Sequence, residues 1–371
     1  MKILFCGGGT AGHVSPAIAI AEIMKGAYPG AEIAFVGRAG GDENRAITRA
    51  GYKLYTVEVE GLCRRLSPAL LKSIKKAFSA TAEAKKILRE FSPDIVIGTG
   101  GYVSWPVIRA ASGMKIKTAL HESNAEAGLV TRLLATKCDV VLLNLADAKR
   151  HLPKRARTEV VGNPVHPSFS GKTKDDAKAA LGIPKRDILV VSFGGSGGSE
   201  KMNDAIVELM RSYTSRTPRL RHIHATGRKY FPKLKEREPR LAYGYGGARI
   251  VPYIENAPEM LLAADISITR SGAMTLAELS AAGTAAILIP SPNVTANHQY
   301  KNALAYKEHG GAILIPEEEL SAQSLRDVLC NLVRDGALRN KMQADIKALR
   351  DGKVEEKILA ILTELMQQTR G

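Results

Sequence analysis

Cysteine is scarce in this sequence, and long apolar runs are absent. The four cysteines form no CxxC pair and lie far apart, at Cys6, Cys63, Cys138 and Cys330. Neither a disulfide framework nor a zinc site is therefore supported. No stretch reaches the roughly 18 uninterrupted apolar residues that cross a bilayer, and Gly7–Gly9 breaks the apolar start in a way that argues against a signal peptide. We expect a protein of a reducing compartment that is neither exported nor membrane-spanning.

Aromatic residues are also few, at 5% against 45% hydrophobic residues in total, which is ordinary for an α/β protein. The 371 residues exceed one typical core and predict two domains. The net charge of +16 favours anionic partners such as nucleic acid, anionic lipid or phosphorylated substrates. Residues 1–163 hold 24 Lys and Arg against 14 Asp and Glu, so the first half is the more basic one.

Short β-type runs alternate with Ala-rich helical stretches in both halves, which is typical of βαβ units around parallel sheets. The runs of the first half are 2–6, 32–36, 94–97, 118–120 and 140–143. Those of the second half are 187–193, 223–225, 249–251, 266–269, 286–289 and 312–315. The stiff stretch Gly162–Pro167 marks a connection. We expect two Rossmann-like domains, 1–163 and 164–371, with the last helix able to pack back on the first domain.

Each half opens with a strand, a glycine loop and a helix. Gly7–Gly12 fits GxGxxG, but Gly37-Arg38 stands where an NAD site needs an acidic residue, so an NADP-dependent reductase stays only as an alternative. Ser15-Pro16 resembles an N-cap followed by the first helical residue. His13, at the loop tip, is our candidate catalytic base.

Further glycine loops, Gly98–Tyr102 and Gly194–Ser199, can cradle anions together with helix N-termini. No GxxxxGK[ST] motif occurs, which disfavours nucleotide hydrolysis in the manner of ATPases.

The stretch 270–279 follows a predicted strand and opens a helix that carries Glu278. A carboxylate there matches the two hydroxyls of a ribose, although a solvated surface glutamate is the alternative. Asn297-His298-Gln299 offers donors and acceptors for sugar hydroxyls beside another helix start.

Seven segments together carry a family resemblance. They are GGGTAGHVSPA (7–17), GTGGYVSWP (98–106), HESNAEAG (121–128), GNPV (162–165), GGSGGSEKMN (194–203), RSGAMTLAE (270–278) and NHQYKNA (297–303). In this order and over nearly the whole chain, the set resembles the MurG family of peptidoglycan N-acetylglucosaminyltransferases.

The resemblance implies the GT-B fold, with two Rossmann-like domains facing a cleft. It implies an inverting transfer of N-acetylglucosamine from UDP-N-acetylglucosamine to the 4-hydroxyl of an undecaprenyl-pyrophosphoryl-muramyl pentapeptide. By this resemblance, the donor would be bound by Thr10, Asn124, Ser196, Arg270, Ala273, Met274, Thr275, Glu278, His298 and Gln299. The acceptor would be bound by Gly12, Gly101, Tyr102 and Glu122, and Thr10 would also face it.

Two departures from the family pattern stand out. His166 follows GNPV where the family usually has arginine, which puts a donor contact from that position in doubt. Asn297-His298-Gln299 replaces the family's DxQQ, which weakens the role of His298 but keeps Gln299. No DxD pair occurs, so we expect no metal or other cofactor, with helix N-termini and Arg270 neutralising the diphosphate.

Residues 61–89, here called the basic segment, hold eight Lys and Arg against Glu83. We expect an apolar face ringed with cations that contacts an anionic membrane. It consists of Leu70, Leu71, Ile74, Phe78, Lys72, Lys75 and Lys76. The alternative is an ordinary amphipathic helix, whose later part would turn Ala84 and Leu88 to the core.

The expected location is therefore the cytoplasmic face of the plasma membrane, as a peripheral protein. Other cell-wall synthesis proteins are candidate partners, whereas nucleic acid is not, since no RNP or KH pattern occurs. A related transferase with another lipid acceptor, a UDP-sugar epimerase and a non-enzymatic binding module stay open as alternatives.

Overall fold

The computed structural model describes residues 1–9, 11–41, 44–59, 68–195, 197–294 and 297–368, with the side chains of 11 and 68–78 outside the description. The chain divides into two compact units. Unit 1 comprises Met1–Pro167 and Asp351–Gly371, and unit 2 comprises Ser168–Arg350. The sequence had predicted domains of 1–163 and 164–371, with the last helix able to pack back on the first domain; in the structure the chain from Asp351 onward is grouped with unit 1.

The first part of the chain alternates strands and helices. Its elements are β1 (Lys2–Cys6), α1 (Ala11–Ala27), β2 (Glu32–Arg38), α2 (Asn44–Arg49), β3 (Lys53–Val57), α3 (Pro68–Phe91), β4 (Ile95–Gly98), α4 (Gly101–Gly113), β5 (Lys117–Glu122), α5 (Leu129–Leu134), β6 (Val140–Leu143) and β7 (Thr158–Val160).

The second part repeats the alternation and ends in three helices. Its elements are α6 (Lys174–Ala180), β8 (Ile188–Phe193), α7 (Glu200–Ser212), β9 (Leu220–Ala225), α8 (Phe231–Arg237), α9 (Pro239–Tyr243), β10 (Ala248–Val251), α10 (Ala257–Ala263), β11 (Ile266–Thr269), α11 (Ala273–Ala282), β12 (Ala285–Leu288), α12 (His298–Glu308), β13 (Ala312–Leu314), α13 (Ala322–Arg334), α14 (Gly336–Ala348) and α15 (Val354–Gln367).

Both units contain a parallel sheet of Rossmann-type strand order. In unit 1 the described strands follow the order β3-β2-β1-β4-β5-β6-β7, and in unit 2 the order β10-β9-β8-β11-β12-β13. The strand order reverses between β1 and β4, and between β8 and β11. Ligands of open α/β sheets bind at such switch points, outside the carboxyl ends of the strands.

The core of unit 1 lies on both faces of its sheet, because successive strand side chains point to opposite faces. Ile3 and Phe5 of β1 pack in one cluster with α1 and α15. Leu4 and Cys6 pack in the other with α3 and α4. Helix α15 contributes four buried side chains, Val354, Ile358, Leu362 and Leu365. This burial explains why the C-terminal helix belongs to unit 1.

The core of unit 2 is built the same way. Val190, Ile268 and Ile287 from the central strands pack with α7 and α13 in one apolar cluster. Helix α13 begins with a capping box, in which the Ser321 hydroxyl accepts from the Ser324 N–H. Gly283, at φ 64°, ends α11 in the left-handed conformation that glycine adopts at low cost.

Helix α3 starts at Pro68 and contains the second part of the basic segment. Ala84 and Leu88 are buried in the unit 1 core, as the sequence predicted for this part of the helix. The apolar and basic positions predicted to contact a membrane lie outside the described side chains. Within the described residues, no helix combines the length and apolarity needed to cross a membrane.

One helix start was predicted incorrectly. Helix α1 begins at Ala11, not at Pro16, which lies inside the helix. The Ser15 N-cap prediction is therefore wrong, and the β1–α1 turn is five residues shorter than expected. Because of this shorter turn, His13 lies in the first turn of α1.

Candidate functional site

The switch point of unit 1 brings two glycine loops together, because β1 pairs directly with β4. The His13 ring packs on the second loop: a Cβ added to Gly100 would lie 2.9 Å from His13 Cδ2, and one added to Gly101 would lie 3.0 Å from Nδ1. Both glycines also have positive φ angles, of 99° and 74°. Larger residues would displace the imidazole, so these glycines create the space that His13 occupies.

Tyr102 lies against the first glycine loop from the opposite side. A Cβ on Gly9 would stand 2.5 Å from Tyr102 Cε1. The structure therefore brings His13, Gly101 and Tyr102 together, as the sequence predicted for acceptor residues. Gly12 lies one residue before His13 and is exposed. Thr10, predicted beside them, is outside the described residues.

Two hydroxyls that sequence reasoning missed hold these loops in place. The Thr99 hydroxyl donates to the His13 carbonyl at 2.6 Å. The Ser104 hydroxyl donates to the Cys6 carbonyl at 2.9 Å and accepts from the Gly100 N–H at 3.2 Å. Both side chains lie in the GTGGYVSWP segment, and their positions beside its glycines were the signal that could have indicated a role in fixing the loop. They fix the backbone around His13 rather than offering a contact to a ligand.

Glu122 ends β5 and organises its own loop. One carboxylate oxygen accepts from the Asn124 N–H at 3.1 Å and from its side-chain amide at 3.0 Å. The other accepts from the Gly128 N–H at 2.9 Å and from the Thr131 hydroxyl at 2.7 Å. The four bonds occupy both oxygens and fix Asn124. The geometry supports a positioning role for Glu122, and its predicted acceptor contact stays a prediction.

The connection Gly162–Pro167 is tied to the same region. His121 Nε2 lies 3.1 Å from the Gly162 carbonyl, and the Asn163 amide donates to the Ser123 carbonyl at 3.1 Å. Burial lowers the pKa of His121, so its imidazole is neutral. The Val165 N–H donates to a Glu355 carboxylate oxygen at 3.1 Å. The chain therefore leaves unit 1 from a hydrogen-bonded anchor.

The switch point of unit 2 carries Arg270, directly after β11. Its guanidinium donates to the carbonyls of Ile289 and Pro290, both at 3.2 Å, and to the Ser199 hydroxyl at 2.7 Å. It also forms an ion pair with Glu317. Arg270 thus holds the glycine loop after β8 against the turn after β12. Ser196, the predicted donor contact in that glycine loop, is outside the described residues.

Helix α11 begins next to Arg270. Its N-cap is Gly272, which has no side chain to cap the helix. The predicted contacts Ala273, Met274 and Thr275 form its first turn, where the helix dipole is positive. The loop before them is fixed, since the Ser271 hydroxyl donates to the Gln299 carbonyl at 2.8 Å.

Gln299 and His298 open helix α12 on the other side of that contact. The Gln299 side-chain oxygen accepts from the Ser291 N–H at 2.9 Å. This bond orients the amide so that its NH₂ group points away from Ser291. Within the described residues the NH₂ group has no hydrogen-bond partner. The structure therefore brings the start of α12, with His298 and Gln299, next to the start of α11.

Glu278 lies in the second turn of α11 and is partly exposed. Burial alone raises the pKa of its carboxyl from 4.5 to about 7. Among the described residues, no cation and no hydrogen-bond donor compensates this carboxylate. A carboxylate with a raised pKa and no partner among the described residues, in a helix that begins at a switch point, is a candidate ligand contact.

A buried histidine pair beneath the glycine loop after β8 was not predicted. The Ser192 hydroxyl lies 2.8 Å from His222 Nε2 and 2.9 Å from His224 Nδ1. His224 Nε2 lies 3.1 Å from the Asn203 side-chain oxygen, and the Asn203 amide donates to the Thr226 carbonyl at 2.9 Å. Burial lowers the pKa of His222 to about 3 and that of His224 to about 4. Both are neutral, and through Asn203 they fix the start of α7.

Comparison with known proteins identifies the family. The model of the glycosyltransferase family 28 N-terminal domain matches residues 3–143, and that of the family 28 C-terminal domain matches residues 188–357. The chain belongs to glycosyltransferase family 28. The two matched ranges correspond to the two sheets, so the family's domain order is complete in this chain.

Two curated relatives of this family-28 chain carry the same name. A protein of Acetivibrio thermocellus is 36% identical over 367 residues, covering 99% of both chains. One of Lactococcus lactis subsp. lactis is 38% identical over 345 residues, covering 93% of this chain and 94% of its own. Both are named UDP-N-acetylglucosamine–N-acetylmuramyl-(pentapeptide) pyrophosphoryl-undecaprenol N-acetylglucosamine transferase. The resemblance to the MurG family is confirmed.

Solved structures agree on the fold. Acinetobacter baumannii MurG has a TM-score of 0.70 at 22% identity and covers 98% of this chain and 99% of its own. The UDP-GlcNAc 2-epimerase of Neisseria meningitidis, bound to UDP-GlcNAc, has a TM-score of 0.64 at 16% identity, covering 98% and 100%. The predicted GT-B fold class is confirmed. At these identities the two structures support the fold of this chain but not its reaction.

Proposed function

We propose that this family-28 glycosyltransferase transfers N-acetylglucosamine from UDP-N-acetylglucosamine to the muramyl 4-hydroxyl of an undecaprenyl-pyrophosphoryl-linked pentapeptide. The observation that carries the proposal is the carboxylate of Glu278, whose pKa burial raises and which has no partner among the described residues, in the helix that opens at the unit 2 switch point. Two vicinal ribose hydroxyls supply the donors that this carboxylate lacks. Full-length similarity to relatives named for this transfer supports the choice of this donor and this acceptor.

The donor occupies unit 2 in this proposal. The N-terminus of α11 and the nearby Arg270 offset the charge of the diphosphate, which grows as UDP leaves. Gln299 directs its free NH₂ group at a sugar oxygen, with His298 beside it. Asn124, fixed by Glu122, is assigned to the N-acetyl sugar, and Ser196 and Thr10 keep the donor roles that the family resemblance implies.

The acceptor is assigned to unit 1, at Gly12, Gly101, Tyr102 and the loop that Glu122 organises. His13 removes the proton of the 4-hydroxyl as its oxygen attacks the anomeric carbon. The bond from that carbon to the UDP oxygen breaks on the opposite face, so the configuration inverts. The imidazole keeps the proton, and UDP leaves with the bonding electron pair.

A chain acting on a lipid-linked acceptor has to meet the bilayer. We assign this contact to the basic segment and place the protein on the cytoplasmic face of the plasma membrane, with other cell-wall synthesis proteins as candidate partners. Replacing Leu70, Leu71, Ile74 and Phe78 with Ser, or Lys72, Lys75 and Lys76 with Glu, is expected to release the protein from anionic vesicles. Unchanged vesicle binding together with a destabilised fold would show that this face is core.

The test of the proposed reaction is incubation with labelled UDP-N-acetylglucosamine, with and without a short-chain polyprenyl-pyrophosphoryl-muramyl pentapeptide. We expect label in the lipid only when acceptor is present, together with one UDP per transferred sugar. Conversion of the donor to its 2-epimer without acceptor would replace the proposal with an epimerase. Donor binding without any turnover would indicate a binding module.

A further inference from the structure

Unit 2 has a basic stretch of its own that the proposed reaction does not use. Residues 211–249 contain eleven Lys and Arg against only two acids, Glu236 and Glu238. The rest of the second half, outside this stretch, has more acids than bases. A net charge of +9 in 39 residues is more than half of the chain's total of +16.

The fold gathers this stretch on one side of unit 2. Strand β10 ends the sheet, and α8 and α9 precede it. We call the surface formed by β10, α8, α9 and the loop 213–219 the basic edge. Its parts touch one another: Lys235 Nζ lies 5.4 Å from the Tyr243 ring centre, and the Arg240 guanidinium 5.6 Å from that of Tyr245.

Most cations of the stretch 211–249 have no acidic neighbour. Of the eleven, four form ion pairs: Arg211 with Glu208 and Glu238, Arg221 with Asp187, Arg228 with Glu255, and Arg237 with Asp204 and Glu238. The other seven are exposed and have no carboxylate within ion-pair distance among the described residues. These are Arg216, Arg219, Lys229, Lys233, Lys235, Arg240 and Arg249. A surface of unbalanced positive charge attracts polyanions.

Tyrosines stand exposed among these cations. Tyr243 is 76% exposed and Tyr245 is 49% exposed. Next to Tyr245, a shallow cavity of about 380 Å³ is lined by Gly246, Gly247 and the loop 215–221, which carries three arginines. A cavity of this size with guanidinium groups on its wall has room for a phosphate group, to which arginine can donate two parallel hydrogen bonds.

We propose that the basic edge binds the phosphate headgroups of an anionic phospholipid bilayer. This contact is separate from the basic segment of unit 1, and it does not depend on the proposed reaction. Tyrosine hydroxyls and long cationic side chains suit the headgroup layer, and each cation near such a surface adds to its attraction for anionic lipid. Single-stranded nucleic acid fits less well, because its bases stack on open aromatic faces, and here cations lie over the rings of Tyr243 and Tyr245.

The test uses the full chain with its basic segment of unit 1 unchanged, so that vesicle binding is retained and can be compared between variants. In this chain, Arg219→Glu with Arg240→Glu is compared with Lys307→Glu and Lys347→Glu. The second pair reverses the same amount of charge at exposed positions of unit 2 outside the basic edge. Binding is measured by co-sedimentation with vesicles that contain about 30 mol% phosphatidylglycerol, a content at which charge attraction is measurable. Vesicles of phosphatidylcholine serve as the reference.

We expect the basic-edge pair to lower the affinity for phosphatidylglycerol vesicles at least tenfold relative to the control pair. Equal affinities of the two pairs would overturn the proposal. So would a basic-edge pair that keeps its vesicle affinity but loses affinity for a single-stranded oligonucleotide. Binding of free inorganic phosphate at millimolar concentration, with no vesicle binding in either pair, would indicate a phosphate site instead of a membrane contact and would also overturn the proposal.

UDP affinity, measured by calorimetry, controls for folding, because the basic edge contains none of the donor residues. If the charge reversal unfolds unit 2, Arg219→Gln with Arg240→Gln replaces it, and a threefold loss of vesicle affinity is expected. No loss in that milder pair would contradict the proposal.

Discussion

Replacing Glu278 is expected to change UDP affinity and the stability of the fold in opposite directions. The carboxylate is expected to accept two ribose hydrogen bonds, and hydrogen bonds to a charged group contribute about 1.5–3 kcal/mol. Glu278→Ala should therefore weaken UDP binding about 10–150-fold. Since burial raises the pKa of the Glu278 carboxyl to about 7, wild-type affinity should also rise as the pH increases through 7, where the carboxylate ionises.

The substitution Glu278→Gln should make the folded protein more stable at alkaline pH. The carboxyl pKa is about 7 in the folded chain and near 4.5 when exposed. The folded state therefore loses stability as the pH rises from 4.5 to 7. The upper limit of this loss is about 3 kcal/mol, and the partial exposure of Glu278 reduces it to about 1–2 kcal/mol. Glu278→Gln removes the penalty, so its melting temperature should exceed that of wild type at pH 8 and equal it at pH 4.

The assays are titration calorimetry with UDP and thermal unfolding, both at pH 4, 7 and 8. Glu308→Gln, at the exposed end of α12, is the matched control and should change neither quantity. A Glu278→Gln variant that binds UDP as tightly as wild type would remove Glu278 from the site. A variant that loses affinity but is less stable at pH 8 would refute the assignment of a desolvated, unpaired carboxylate.

Three further predictions concern the rest of the molecule. His13→Ala should lower kcat about 10²–10⁴-fold with little change in UDP affinity, and the same change at the exposed His151 should have no effect; a kcat unchanged in His13→Ala would exclude the residue as the base. The pKa values of His222 and His224, lowered to about 3 and about 4, lie below the unfolded value of about 6.5, so stability is full above pH 6.5 and falls as the pH drops. The loss of unfolding free energy should reach about 2–3 kcal/mol per histidine at pH 4.5. The double variant His222→Gln with His224→Gln should lose less than wild type, as measured by urea midpoints. Equal acid sensitivity of the two proteins would contradict the neutral pair. Turnover should persist in excess EDTA, whereas complete loss restored by Mg²⁺ would show that a metal neutralises the diphosphate.

The strands of both sheets were largely predictable because parallel strands buried on both faces are continuous apolar runs. The runs at β1, β6 and β11 were predicted with the same bounds that the structure has. Strands β3 and β7 were missed. Both lie at sheet edges, and their residues are mostly partly exposed, so their sequences lack a strong apolar run.

The candidate site was predictable where a motif places a side chain in the first turns of a helix that follows a strand. Glu278, His298 and Gln299 follow from such positions. What the sequence could not supply is which polar groups the fold already engages. The four hydrogen-bond and ion-pair partners of Arg270 come from residues distant in the chain. The partners that occupy both oxygens of Glu122 are closer, in the loop and the helix start that follow it, but the residue types alone do not show that they bond to it. The His222–Ser192–His224 network likewise depends on two neighbouring strands in register.

The most direct test of the central claim is the structure of the product formed from UDP-N-acetylglucosamine and the short-chain muramyl acceptor. Nuclear magnetic resonance of the isolated product should show a β-1,4 linkage from N-acetylglucosamine to the muramyl sugar, with the anomeric configuration inverted from that of the donor. An α linkage, transfer to another hydroxyl, or an epimerised donor with an unmodified acceptor would contradict the account.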